Sequence, residues 1–196
     1  MDFSFEKDIV LENDRVRICP ILLSDIDNLL KVATSDTSLV QYSPFKINSE
    51  PLLRQYIEKA LSDRANKVRY AFVLFDKKTN EYAGSTSFGN LSNADKRVEI
   101  GWTWIGKPFQ KTGLNRNCKH LLMNYVFETL GFERLELRTD ERNAQSRKAI
   151  EAIGGKFEGI LRSHMLMTDG FRRSTVCYSI LKNEWPGVKE KLGKSL

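Results

Sequence analysis

Phe109 to Asn115 read Phe-Gln-Lys-Thr-Gly-Leu-Asn, immediately ahead of a strongly amphipathic segment. Backbone N–H groups in the first turn of a helix lack internal partners and sit at the positive end of the helix dipole, so they bind phosphate oxygens where the chain can approach. Gly113, with no Cβ, permits that approach. A second phosphate motif lies just upstream: Gly101-Trp-Thr-Trp-Ile-Gly106-Lys107-Pro108 keeps the spacing of a nucleotide P-loop until its last position, where Ser or Thr should hold Mg²⁺. Pro108 offers neither a hydroxyl nor an N–H, and two tryptophans occupy what should be bare backbone. ATP or GTP binding through this motif is therefore rejected. A histidine is a candidate base by residue type, but His164 stands among Met165, Leu166 and Met167 of an expected strand, which points to packing or a hydrogen bond before catalysis. Cys118 falls on the apolar stripe of the helix and reads as a structural thiol.

The elements that must position these residues are legible from periodicity. Arg15 to Pro20 alternates as a strand, and Ser24 with Asp25 and Asp27 opens a helix carrying Ile26, Leu29, Leu30 and Ala33, with Ser24 as its expected cap. Ser49-Glu50-Pro51 opens a second helix with an apolar stripe from Leu52 to Leu61, ending near Asp63. Arg69–Asp76 and Tyr82–Phe88 form a hairpin, and a third strand, Arg97–Trp104, leads into the phosphate loop. The following helix buries Leu114, Cys118, Leu121, Leu122, Tyr125 and Val126 and stops at Gly131. A strand from Arg134 to Thr139, a helix from Asn143 to Ile153 ending at Gly154-Gly155, and a hairpin of Phe157–Met167 and Phe171–Leu181 turning at Asp169-Gly170 complete the chain. This order predicts one α/β domain over residues 1–196 with a mixed, mostly antiparallel sheet flanked by helices on both faces.

The bulk properties set further bounds. The chain has 196 residues, 41% hydrophobic and 29% charged, with no apolar run of the ~18 residues a membrane span requires. The start lacks the basic and apolar regions of a signal peptide, so a cytoplasmic protein without membrane association is expected. Net charge is +6, from 31 Lys and Arg against 25 Asp and Glu, which suits a polyanionic ligand. The basic residues are dispersed and not interleaved with aromatics, so nucleic acid is not the expected partner. Cys19, Cys118 and Cys177 with His120 and His164 show no metal-ligand spacing, and no metal is expected.

Three segments in order, Glu99-Ile-Gly-Trp, Gln110-Lys-Thr-Gly113-Leu-Asn115 and Asn143-Ala-Gln-Ser146, resemble the GCN5-related N-acetyltransferase superfamily over nearly the whole chain. The tail from Arg142-Asn143-Ala-Gln-Ser146 through Gly154-Gly155 to His164-Met-Leu-Met-Thr-Asp-Gly170 is similar to its ribosomal-protein N-terminal acetyltransferase (RimJ/RimL-like) branch. The resemblance implies transfer of an acetyl group from acetyl-CoA to a primary amine, on a protein N-terminus or a small molecule, by direct transfer in a ternary complex. It implies a pyrophosphate site at Gln110, Lys111, Thr112, Gly113, Leu114 and Asn115, with Arg116 near a phosphate. Backbone groups of Thr103, Trp104 and Ile105 would hold the pantetheine beside a bulged strand end, and Asn143 and Ser146 would complete the cofactor site.

For the chemistry, the resemblance points to Glu99 as base or water-orienting carboxylate and to Ser146 as the hydroxyl that supports the departing thiolate. Alternation alone leaves open whether Glu99 faces a cleft or solvent, and Ser146 equally suits a first-turn residue bonding local backbone. Ile150 stands where many members carry a tyrosine acid, which removes that proton donor. Asn115 stands where a small residue is usual, and Asn117 and Cys118 replace a common Glu-Ala pair. The competing class is a non-catalytic module that binds acetyl-CoA or nucleic acid, favoured by the missing tyrosine and the basic charge. The acceptor loops are expected at Gln41 to Lys46 and Thr168 to Gly170, and the exposed C-terminal hairpin edge suggests a homodimer.

Overall fold

The computed structural model describes residues 1–194. Its centre is an eight-stranded sheet in the order β1-β2-β3-β4-β5-β6-β8-β7, made of β1 (Leu11–Glu12), β2 (Val16–Pro20), β3 (Arg69–Asp76), β4 (Glu81–Ser92), β5 (Arg97–Ile105), β6 (Arg134–Asp140), β7 (Lys156–Leu166) and β8 (Arg172–Leu181). Only β5 and β6 run parallel; every other neighbouring pair is antiparallel. This is the mixed α/β sheet expected from the order of elements. The short β1 and a C-terminal helix, Trp185–Gly193, are additions to that expectation.

Five helices cover the sheet: α1 (Asp25–Thr34), α2 (Glu50–Ala65), α3 (Leu114–Asn124), α4 (Ala144–Ala152) and α5 (Trp185–Gly193). Alternation along β4 assigns them to faces. The Ser85 hydroxyl meets the Tyr56 hydroxyl of α2 at 3.2 Å, while its neighbour Thr86 joins Thr103 of β5, which in turn accepts from Lys119 of α3. Successive residues thus address opposite faces, with α2 on one and α3 on the other. A continuous apolar core from Val16 and Ile18 through Phe72, Phe88, Leu122 and Tyr178 fills both sides.

Local chemistry departs from expectation at three places. Ser24 makes no capping hydrogen bond; the Asp25 carboxylate takes the Leu22 N–H instead, at 2.8 Å, because Ser24 itself is already helical. The helix after the phosphate loop is not one uniform α-helix, since Tyr125–Thr129 form a π turn before the left-handed Gly131. That turn leaves Leu121 and Tyr125 half-buried, where the apolar stripe predicts both in the core. The stretch with P-loop spacing is mostly strand: Gly101–Ile105 belong to β5, and Lys107–Phe109 make a single 3₁₀ turn.

Candidate active site

β5 and β6 pair only from Arg97–Arg134 to Glu99–Glu136. Beyond that point β5 runs on to Ile105 and β6 to Asp140 without pairing, so the sheet opens into a V. The cause lies in β5. Trp102 takes a left-handed φ of 50°, and the β4–β5 register shifts between Ser85–Trp104 and Ser87–Gly101, which places an extra residue in β5 opposite Thr86. The bulge turns the strand end away from β6 and leaves backbone groups of Thr103 to Ile105 at the mouth of the V. The V joins the α3–α4 face of the sheet to the α1–α2 face.

At the open end lies the loop expected to bind phosphate, residues 109–115. Lys111 and Gly113 both have positive φ, 60° and 88°, and the first helical hydrogen bond of α3 runs from Asn117 N to Gly113 O at 3.1 Å. The backbone N–H groups of Leu114, Asn115 and Arg116 therefore precede the helical ladder, as a phosphate cradle needs. The side chains of the loop are occupied with its own shape. Gln110 Nε2 donates to Ile105 O at 2.8 Å while its Oε1 accepts from Gln145 of α4 at 3.2 Å. The Thr112 hydroxyl donates to Phe109 O at 2.7 Å and accepts from Arg15 at 3.2 Å. Leu114 is wholly buried, and its backbone N–H reaches the Thr112 hydroxyl at 3.5 Å.

α4 borders the V from the other side. Asn143 Oδ1 accepts the Ser146 N–H at 3.0 Å, so Asn143 is the helix cap, and the Ser146 hydroxyl has no protein partner among the described residues. Ile150 is buried on the same helix and donates nothing. Cys118 is fully buried and its thiol is pushed up to about 11 by desolvation, which removes it as a nucleophile. His164 is exposed, with Nδ1 3.1 Å from the Thr175 hydroxyl. Among the described residues no group of three or more His, Cys, Asp or Glu is arranged to hold a metal, and no helix is long and apolar enough to cross a membrane.

Glu99 sits at the apex of the V, only 6% exposed. It is not a solvent-facing member of an alternating strand. Its Oε2 accepts from Asn90 Nδ2 at 2.6 Å and lies 3.4 Å from Arg138 Nε. Burial raises its pKa above the ordinary 4.5, against the opposing pull of Arg138 and Asn90. It shares a face with Gly89, opposite it on β4, and Trp102 packs over that glycine. Arg138, Asn90 and the neighbouring Glu136 escape a sequence reading, because they converge only once β4, β5 and β6 lie side by side. Tyr42, in the first loop expected to take the acceptor, comes near Phe171, the residue after the second. Arg142 lies between Phe171 and Tyr42, 3.8 and 5.6 Å from the ring centroids, and Arg173 Nη1 donates to Tyr42 O at 3.1 Å.

The sheet thus opens after three parallel residue pairs, with the Gln110–Asn115 loop at its mouth and the buried Glu99 carboxylate at its apex. Residues 15–156 match the model of the acetyltransferase (GNAT) domain, and the chain belongs to that family, whose members use acetyl-CoA. It is 36% identical over 106 residues to YdaF of Bacillus subtilis, a protein provisionally named a ribosomal N-acetyltransferase; that segment is 54% of this chain and 57% of YdaF. A protein of T. thermophilus, provisionally described as an acetyltransferase, superposes with a TM-score of 0.86 at 32% identity, over 95% of this chain and 96% of that one. RimJ of Mycobacterium smegmatis, solved in complex with CoA-disulfide, shares the fold with a TM-score of 0.79 at 18% identity, over 96% and 93% of the two chains.

Proposed function

We propose that the protein moves the acetyl group of acetyl-CoA directly to a primary amine, a protein N-terminus or a small-molecule amine, in a ternary complex. The observation that carries this reading is the opening of the sheet between β5 and β6, with the phosphate loop at its mouth and buried Glu99 at its apex. The pyrophosphate binds the backbone of Gln110 to Asn115, and the pantetheine lies along Thr103 to Ile105, with Asn143 and Ser146 bordering it from α4. Glu99, with a pKa raised by burial, takes the proton from the ammonium form of the acceptor, directly or through a water. The neutral amine attacks the thioester carbonyl carbon to form the N–C bond, the C–S bond breaks, and the proton shed by the nitrogen passes to the thiolate, leaving an amide and the free thiol of coenzyme A. The Ser146 hydroxyl supports the departing thiolate by hydrogen bonding. The acceptor enters from the α1–α2 face, past the cluster of Tyr42, Arg142 and Phe171. The similarity to a ribosomal N-acetyltransferase favours a protein N-terminus over a small amine.

Release of free thiol from acetyl-CoA in the presence of an amine panel tests this. Glu99→Gln should lower kcat/KM by about 10²–10⁴-fold and abolish its acid limb, which in the wild type lies above the ordinary carboxylate range. Ser146→Ala should lower kcat with little change in CoA affinity. Wild-type rates in both variants would remove these residues from the chemistry, and stabilisation by DNA or ATP but not by CoA would remove the enzyme reading itself.

A further inference from the structure

Two polar groups on the α3 side of the V are left unsatisfied by the protein. Lys119, on α3, is 6% exposed, and its ammonium makes one hydrogen bond, to the Thr103 hydroxyl of the β5 bulge at 2.9 Å. Thr103 is itself 2.7 Å from the Thr86 hydroxyl, so the lysine closes a short polar chain across β4, β5 and α3. An ammonium has three donors, and no carboxylate pairs with this one among the described residues. One helical turn earlier, on the same face of α3, the Asn115 Oδ1 is buried with no partner. Neither group satisfies the other. Buried polar atoms are ordinarily paired, and leaving them unpaired is costly.

The two deficits are of opposite kind, one acceptor short of a donor and one donor short of acceptors. A phosphate oxygen would suit Lys119 but would meet the lone pairs of Asn115 Oδ1. Amides supply both an N–H and a C=O. The pantetheine arm of coenzyme A carries two amides, and it has to pass Thr103 if it follows the β5 bulge. We propose that Asn115 and Lys119 form a side-chain subsite for the pantetheine arm, Asn115 Oδ1 accepting an amide N–H and the Lys119 ammonium donating to an amide C=O. The proposal rests on the coenzyme A reading of the V. It also gives a role to the asparagine that replaces the usual small residue of the loop.

Calorimetric titration with CoA and with 3′-phospho-ADP (ADP below), which shares the nucleotide and its phosphates but lacks the arm, separates the two. In the wild type CoA should bind more tightly than ADP. Asn115→Ala and Lys119→Met should each weaken CoA about ten-fold or more, with ADP affinity unchanged within about two-fold. Unchanged CoA affinity in either folded variant, or an equal loss for CoA and ADP, would overturn the subsite. If Lys119→Met fails to fold, Asn115→Ala decides alone, since that side chain is half-exposed and its truncation leaves the core intact. A wild type that binds ADP but gains nothing from the arm would overturn the subsite alone, whereas one that binds neither ligand would overturn the coenzyme A reading beneath it.

Discussion

Glu99 and Lys119 are both charged residues with little solvent, and their opposite charges give opposite consequences. Burial raises the pKa of the carboxylate toward the working range of a base, whereas it lowers the Lys119 ammonium from 10.5 to about 8. The unfolded chain restores the ordinary value. Between about 8 and 10.5 the unfolded chain therefore holds the extra proton, and stability rises with pH. The contribution is complete above 10.5 and is lost as the pH falls through about 8. The melting temperature of Lys119→Met should accordingly exceed that of the wild type near pH 7, and the gap should close toward pH 10. A gap independent of pH would mean that Lys119 titrates normally. The lysine was not singled out in the sequence, where the apolar stripe of this helix runs through Leu114, Cys118 and Leu122 with Lys119 beside it. Its partner Thr103 arrives from another element.

At the scale of elements, the phosphate loop depends on backbone conformation more than on side chains. Gly113 caps α3 at φ 88°, and a Cβ there would meet nothing within 4 Å, so a substitution costs conformational energy without a clash. Gly113→Val should destabilise the protein by about 1–2 kcal/mol in urea unfolding and weaken CoA binding, because relief of the strain re-aims the first-turn N–H groups. Unchanged stability would show that the loop adopts another conformation readily. The spacing Gln110, Gly113 was readable because a left-handed cap and a phosphate cradle demand particular residue types locally. The π turn at Tyr125–Thr129 and the helix at Trp185–Gly193 were not. The first adds no break to the apolar pattern, and the second has Pro186 and Gly187 in its first turn and is held by tertiary contacts, with Trp185 stacked on Phe127 at 5.4 Å and its indole N–H donating to Glu128 at 2.9 Å.

Across the whole molecule, the fold links segments far apart in the chain at the end of the V proposed to take the acceptor. Arg173 of β8, 8% exposed, donates to Tyr42 in the α1–α2 loop and to the Thr175 hydroxyl, while Arg142 stacks between Tyr42 and Phe171. Arg173→Met should therefore raise the acceptor KM about ten-fold and leave CoA affinity unchanged in steady-state and binding measurements; an equal loss of both would mean that the arginine supports the sheet and not the acceptor loop. β7 lies at the sheet edge with Phe157, Leu161 and Leu166 exposed, the hairpin edge expected from the sequence. What the sequence by itself determined was the order of elements from β2 to β8, the glycine that opens α3, the Asn143 cap and the absence of a tyrosine at Ile150, all properties set within a few residues of chain. Only the tertiary structure decided which way Glu99 faces, where β5 and β6 part, and which buried groups are left for a ligand. Those depend on the register between strands that are not consecutive in the chain, as where β5 meets β6, and alternation along one strand fixes two faces without saying which of them meets a neighbour.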